Sequence, residues 1–193
     1  MKFLIISGNP KQNGLTAALL DEIARGARDG GAEVEELTLE KIERCKVCGD
    51  GWGNCRATHK CVFGGDGFDD AQAKIYAADA VAIVTPVYWA EVSELLKSFM
   101  DRLRRCEFAV GAGKAGDPER ALSGKQVILA VNAGGSGNGI NTALAQLERF
   151  CQHTGAQVFD TFGLNRWNYD HKRPAAYASA KALAQGRRNG QNI

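Results

Sequence analysis

Four cysteines crowd into seventeen residues: Cys45-x-x-Cys48, then Cys55 and Cys61. Thiols at this density are typical of iron–sulfur and zinc sites. The spacing leaves three chemistries open. A 4Fe–4S cluster requires the six residues at 49–54, Trp52 among them, to loop outward. Zinc would draw on His59, four residues after Cys55, but a single Cys-x-x-Cys has no matching second knuckle. The third is a set of four reduced thiols in a loop that packs over a ligand or a partner chain. Cys106 and Cys151 stand apart and read as small buried hydrophobes.

A second group of residues is suited to holding an anion and a flat ring. Residues 7–16 read Ser7-Gly8-Asn9-Pro10-Lys11-Gln12-Asn13-Gly14-Leu15-Thr16, between an apolar run and a helical pattern. Such a turn aims unpaired backbone N–H groups and the positive end of a helix dipole at one point. Ser7, Asn13 and Thr16 add hydroxyl and amide groups, and Lys11 adds a charge. Five residues separate Gly8 from Gly14, and Leu15 stands where a P-loop lysine belongs, which disfavours ATP or GTP hydrolysis. The Gly-x-Gly-x-x-Gly fingerprint is absent too, so a compact terminal phosphate such as that of FMN fits better than a pyrophosphate. Further on, Thr85-Pro86-Val87-Tyr88-Trp89 places a rigid proline and two aromatics at a strand end, a wall for a flat heterocycle. Asn132-Ala133-Gly134-Gly135-Ser136 then opens a glycine-dense turn that permits close backbone approach to a ligand. No acid or base is singled out as catalytic.

These residues need a scaffold, and the apolar pattern supplies one. Short runs at 2–6, 81–85, 126–131 and 156–162, with a more charged edge run at 33–39, alternate with helical patterns. That alternation predicts a doubly wound α/β fold with a five-stranded parallel sheet. Helical stripes are Leu15, Ala18, Leu19, Ile23 and Ala27; Val92, Leu95, Leu96, Phe99 and Leu103; and Ile140, Ala143, Leu144, Leu147 and Cys151. Each packs on the sheet. Residues 41–67 and 106–124 are expected as long loops, Pro174 as the start of a helix through about residue 186, and the tail beyond it as frayed. His153 is expected to cap a helix, and the run 165–171, with Trp167 and Tyr169, to line a pocket or a subunit contact. The 193 residues fit one domain, 1–193. A net charge of +2, from 24 basic and 22 acidic residues, gives no field for nucleic acid or a membrane surface. No stretch has a signal-peptide or membrane-span pattern, so a cytoplasmic protein with reduced thiols is expected.

The resemblance becomes specific on three stretches. Residues 7–16, the run Thr85-Pro86-Val87-Tyr88-Trp89 followed by Ser93-x-x-Leu96-Lys97-x-Phe99-x-Asp101-Arg102, and the cysteine segment ending Lys60-Cys61-Val62 together resemble the NADPH-dependent FMN reductase and iron–sulfur flavoprotein branch of the flavodoxin-like superfamily. It covers residues 1 to about 165. The resemblance implies a sheet of order 2-1-3-4-5, FMN phosphate on the first loop, the ring against the second and third, and dimers or tetramers. It also implies hydride acceptance from NAD(P)H and passage of electrons to a quinone, a flavin, a metal or an iron–sulfur centre. Two alternatives stay open: an iron–sulfur electron carrier without nicotinamide turnover, and a non-enzymatic interaction module. Relative to the family pattern Ser-Gly-Ser-Pro-Arg-x-x-Gly-Asn-Thr, this chain varies at Asn9, Lys11 and Leu15. Lys11 keeps the charge but not the bidentate fork. At Leu15 a phosphate would rest on the backbone N–H.

Overall fold

The computed structural model describes residues 1–49, 55–107 and 120–187. Residues 50–54 with Trp52, most of the expected loop at 106–124 and the end of the C-terminal tail lie outside the described residues. In chain order the elements are β1 Lys2–Ser7, α1 Leu15–Asp29, β2 Glu33–Thr38, α2 Cys55–Thr58, α3 Phe68–Ala77, β3 Ala80–Tyr88, β4 Glu91–Val92, α4 Glu94–Glu107, β5 Gln126–Ala133, α5 Ile140–Thr154, β6 Gln157–Asn165 and α6 Tyr169–Ala184.

The five long strands pair in parallel in the order β2-β1-β3-β5-β6, and the short β4 pairs antiparallel with the end of β3. With β4 set aside, this is the expected 2-1-3-4-5 order. The chain reverses its direction of winding between β1 and β3, the kind of crevice where ligands lodge in open α/β sheets. The central strands are apolar on both sides because both sides are covered. Leu4, Ile6, Val81, Ile83, Val127 and Leu129 face α3, α4 and α5. Phe3, Ile5, Ala80, Ala82, Val84 and Ile128 face α1 and α6. Full burial of each such leucine or isoleucine stabilises by roughly 1.5–3 kcal/mol. On the α1 face small residues bring helices close: a Cβ on Gly26 would stand 2.3 Å from the Tyr177 carbonyl oxygen of α6.

Several boundaries differ from the sequence reading. β3 does not stop at Thr85 but continues through Tyr88, because Val87 and Tyr88 find antiparallel partners in Val92 and Glu91. Val92 therefore belongs to β4 rather than to the helical stripe of α4. Leu15 heads the first stripe but is 37 % exposed at the tip of α1. The last helix begins at Tyr169, not at Pro174, which sits inside it. An asparagine turn starts it early: the Asn165 N–H donates to Asn168 Oδ1 at 2.8 Å, and the Asn168 carbonyl accepts from the N–H of Lys172 at 3.0 Å. Pro174 then removes one N–H in the second turn. The loop expected at 41–67 carries the single turn α2, and α3 follows it where the sequence offered no marked stripe.

Candidate functional site

β1, β3 and β5 are neighbours and parallel, so the three turns that follow them emerge on one edge of the sheet. The first two are knitted together by small groups. The Gly8 N–H donates to the Val84 carbonyl at 2.8 Å, and the Ser93 hydroxyl donates to the Gly8 carbonyl at 2.6 Å. Ser93 also accepts from the Leu96 N–H at 3.3 Å, capping α4, while its own N–H donates to Thr85 Oγ1 at 3.1 Å. Only glycine fits at position 8: a Cβ there would stand 2.7 Å from Leu96 Cβ and 2.9 Å from Thr85 Oγ1. The third turn joins through Asn132, whose Nδ2 donates to Thr16 Oγ1 at 3.2 Å, and through Gly139, where a Cβ would stand 2.2 Å from Ala90 Cα.

The candidate anion-binding residues divide into two groups. Ser7 and Thr16 are buried and engaged internally, Ser7 Oγ accepting the Asn9 N–H at 3.3 Å and Thr16 meeting Asn132. Asn9 folds its side chain back onto the Lys11 backbone, shaping the turn. Lys11, Asn13 and Gly14 are exposed around the start of α1. That helix opens after Gly14, at φ 89°, with no side-chain cap and no acidic residue in its first turn. Its leading N–H groups are thus left to a ligand or to water. Beside them Asn132 is buried, and its Oδ1 has no hydrogen-bond partner. An uncapped helix start with an orphaned buried amide oxygen next to it suits a bound phosphorylated ligand such as FMN.

The ring wall is built differently. Thr85 and Pro86 are buried, Val87 is half-buried, and Tyr88 and Trp89 are exposed, Trp89 wholly so. Trp89 and Ala90 form the two-residue tip between β3 and β4, at φ 50° and 64°, a left-handed conformation that side chains resist. The tip is pinned on α5, where Gln146 Oε1 accepts the Val92 N–H at 3.2 Å and Gln146 Nε2 donates to Glu91. Opposite, Ala133 is buried while Gly134, Gly135 and Ser136 are exposed, and the Gly134 carbonyl accepts from Arg166 Nε at 2.8 Å. Ser136, Asn165, Asn168 and Lys172 line a cavity of about 630 Å³ on the far side of this turn, so the run at 165–171 does contribute to a pocket wall. Gly8, Ser93, Gly139 and Arg166 were not among the sequence candidates. Ser93 carried a signal, a serine just before a helical stripe; Arg166 lay in the run at 165–171 expected to line a pocket or a subunit contact, with no role of its own.

The cysteines gather at the other end of α4. All six are free; Cys55, at the start of α2, is buried, while Cys45, Cys48 and Cys61 are half-buried. Burial, then the nearby thiols of Cys48, Cys45 and Cys61, push the Cys55 thiol above its ordinary value. Among the described residues no three histidine, cysteine or acidic side chains stand in metal-holding geometry. The donor set is nonetheless chemically suited to a thiophilic metal or cluster, one buried and three half-buried thiols in a single segment. His59 holds Nδ1 3.2 Å from the Cys106 carbonyl oxygen. Cys106 and Cys151 are buried as expected, and burial raises the Cys151 thiol to about 12. His153 lies in the last turn of α5.

The family described as NADPH-dependent FMN reductase matches residues 1–168, and the chain belongs to that family of oxidoreductases. An iron–sulfur flavoprotein of Archaeoglobus fulgidus is 32 % identical over 105 residues, 53 % of this chain and 46 % of that protein. Another, from Methanosarcina thermophila, is 31 % identical over 144 residues, 72 % of this chain and 66 % of that protein. These matches span between about half and two thirds of the relatives' length. Among solved structures a flavone reductase superposes with a TM-score of 0.71 at 22 % identity, covering 96 % of this chain and 62 % of that one, a likeness of fold. No helix among the described residues is long and apolar enough to cross a membrane.

Proposed function

We propose that this chain is an FMN-binding oxidoreductase that takes hydride from NAD(P)H and delivers electrons to a quinone, a free flavin, a metal or an iron–sulfur centre. The observation that carries this reading is the uncapped, acid-free start of α1 at the point where the sheet reverses its winding, flanked by two further strand-end turns. The FMN phosphate is assigned to the backbone N–H groups of Gly14, Leu15 and Thr16, with Ser7, Asn9, Lys11 and Asn13 shaping and charging the turn. The ring is assigned to the wall of Thr85, Pro86, Val87, Tyr88 and Trp89 and to the facing turn of Asn132, Ala133, Gly134, Gly135 and Ser136. Bound FMN supplies the hydride and one-electron chemistry; the protein supplies orientation, electrostatics and exclusion of water. Ser93 and Gly8 hold the phosphate turn against the ring wall. Asn132 Oδ1, otherwise unpartnered, accepts a hydrogen bond from the bound cofactor.

The thiols of Cys45, Cys48, Cys55 and Cys61 are assigned to a 4Fe–4S cluster, supported by their density in one segment and by the iron–sulfur flavoproteins among the relatives. A cluster held by these thiols would supply one-electron transfer, and without it a two-electron acceptor would be needed. The exposed Tyr88, Trp89 and Trp167 fit a homodimer or homotetramer in which a second copy shields the ring. Cysteines outside any disulfide fit a cytoplasmic protein, and one continuous sheet fits a single domain.

Protein purified without oxygen and loaded with FMN tests the reading. Addition of NADPH or NADH is expected to bleach the flavin absorbance, and bleaching with neither donor removes the reductase assignment.

A further inference from the structure

The resemblance motif ends in Asp101-Arg102, and the flavin loops leave Arg102 unexplained. This arginine lies on the inner side of α4 and is only 2 % exposed. A guanidinium so placed must be surrounded by acceptors, since a buried charge without partners is strongly unfavourable. The acceptors all come from the cysteine segment. Arg102 Nη1 donates to the Glu43 carbonyl at 2.9 Å and to Asp66 Oδ2; Nη2 donates to the Phe63 carbonyl and to Asp66 Oδ1 at 3.2 Å. Asp66 itself accepts the N–H of Glu43 at 2.8 Å and that of Phe68 at 3.3 Å. The guanidinium lies 4.1 Å over the Phe68 ring.

Glu43 precedes Cys45 and Cys48, while Phe63 and Asp66 follow Cys61, so one ion pair ties both ends of the thiol segment to a rigid helix. The N–H groups on Nη1 and Nη2 of the guanidinium are all taken by these acceptors. One of its donors, Nε, is buried with no partner. A planar fork is needed to satisfy two carbonyls and a carboxylate at once, which a lysine cannot do. We propose that Arg102 is the positioning residue of the thiol centre: it fastens Glu43, Phe63 and Asp66, which flank the four cysteines on both sides, to α4. The proposal rests on the assignment of the four thiols to one centre. Arg102 touches neither substrate nor flavin, so its role acts through the cysteines.

The test compares the FMN-loaded parent with Arg102→Lys, Arg102→Gln and Asp66→Asn, purified without oxygen. Iron and acid-labile sulfide per chain, the rate of thiol labelling by a disulfide reagent, flavin content and the unfolding midpoint are measured on each. If the parent holds iron, Arg102→Gln is expected to lose most of it and Arg102→Lys and Asp66→Asn part of it, with flavin content unchanged. If the parent is iron-free, the cluster assignment fails by itself. Arg102 is then read from labelling, expected to be about tenfold faster in Arg102→Gln as the segment opens locally. Iron content and labelling rates equal to the parent in all three variants overturn the proposal. So does loss of flavin in step with loss of iron, which marks a general folding defect. Asp66→Asn keeps the guanidinium in place and decides the matter if Arg102→Gln does not fold.

Discussion

The strand-end turns and the thiol segment stand at two positions on one helix and are held by opposite means. Ser93 at the start of α4 binds the first turn, and Arg102, nine residues on and about 13 Å away at 1.5 Å per residue, binds the cysteines. The turns take their places from the sheet: once β1, β3 and β5 pair in parallel, their ends must meet, and backbone groups with small side chains complete the join. Among its described residues the thiol segment has no strand and one single-turn helix, so its fixed points are Arg102, Asp66 and the buried Cys55. A site on strand ends inherits the stability of the core, while a site on a strap is as stable as its clasp.

The largest break in that comparison is expected at Gly8. Valine there would drive a Cβ to 2.7 Å from Leu96 Cβ and 3.0 Å from Ser93 Oγ. Overpacking costs typically about 1–3 kcal/mol, here concentrated where the first two turns touch. Gly8→Val is expected to abolish flavin retention through purification and to lower the unfolding midpoint, yet to leave thiol labelling near the parent rate. A variant that keeps stoichiometric flavin breaks the claim that this contact shapes the phosphate turn.

The next effect is one of pH and belongs to the clasp. Burial pushes the Asp66 carboxyl up, but the Arg102 guanidinium and the N–H groups of Glu43 and Phe68 outweigh it and hold the group below its ordinary value. A carboxyl depressed in the folded state contributes stability that is complete above its unfolded pKa, about 4, and lost as pH falls through the folded value. Hydrogen exchange, corrected for intrinsic rates, is expected to show the Glu43 and Phe68 amides losing protection across that acid range. Amides of β1 and β3 keep theirs. Asp66→Asn, which removes one partner of a buried pair at a cost of about 3 kcal/mol, loses this protection at every pH. Equal acid sensitivity in the strands and the strap erases the distinction.

What the sequence made legible follows the same division. Continuous apolar runs such as Ala80-Val81-Ala82-Ile83-Val84 declare a strand covered on both faces, and the order of the sheet and the meeting of the turns follow from that. The hairpin tip was not legible, because Trp89 and Ala90 lack the glycine or asparagine that marks such turns, and tertiary contacts with Gly139 and Gln146 impose it. The early start of α6 was hidden by Pro174, a strong signal overruled by the asparagine turn before it. Arg102 was visible only as part of a motif. Its partners lie 36 to 59 residues away in a segment with no periodicity, and no local pattern reports such a bond.

The smallest effect on folding and the sharpest on function are expected at Trp89. Its side chain is wholly exposed, so it buries nothing that folding could lose. Its φ of 50° puts a bulky residue in the left-handed region. Glycine would relieve roughly 1 kcal/mol of that strain, offset by the 0.5–1 kcal/mol or so that a glycine's freedom favours the unfolded chain. Trp89→Gly is therefore expected to unfold within about 0.5 kcal/mol of the parent. If the ring wall extends to the tip and the nicotinamide stacks on the flavin beside it, the KM for NAD(P)H rises several-fold while kcat changes less, because the indole would contribute binding and take no part in bond making. A midpoint that instead falls by several degrees, and falls further on dilution, means that the indole is buried against a second copy. The tip would then be an interface before it is a wall, held by assembly as the thiol segment is held by its clasp.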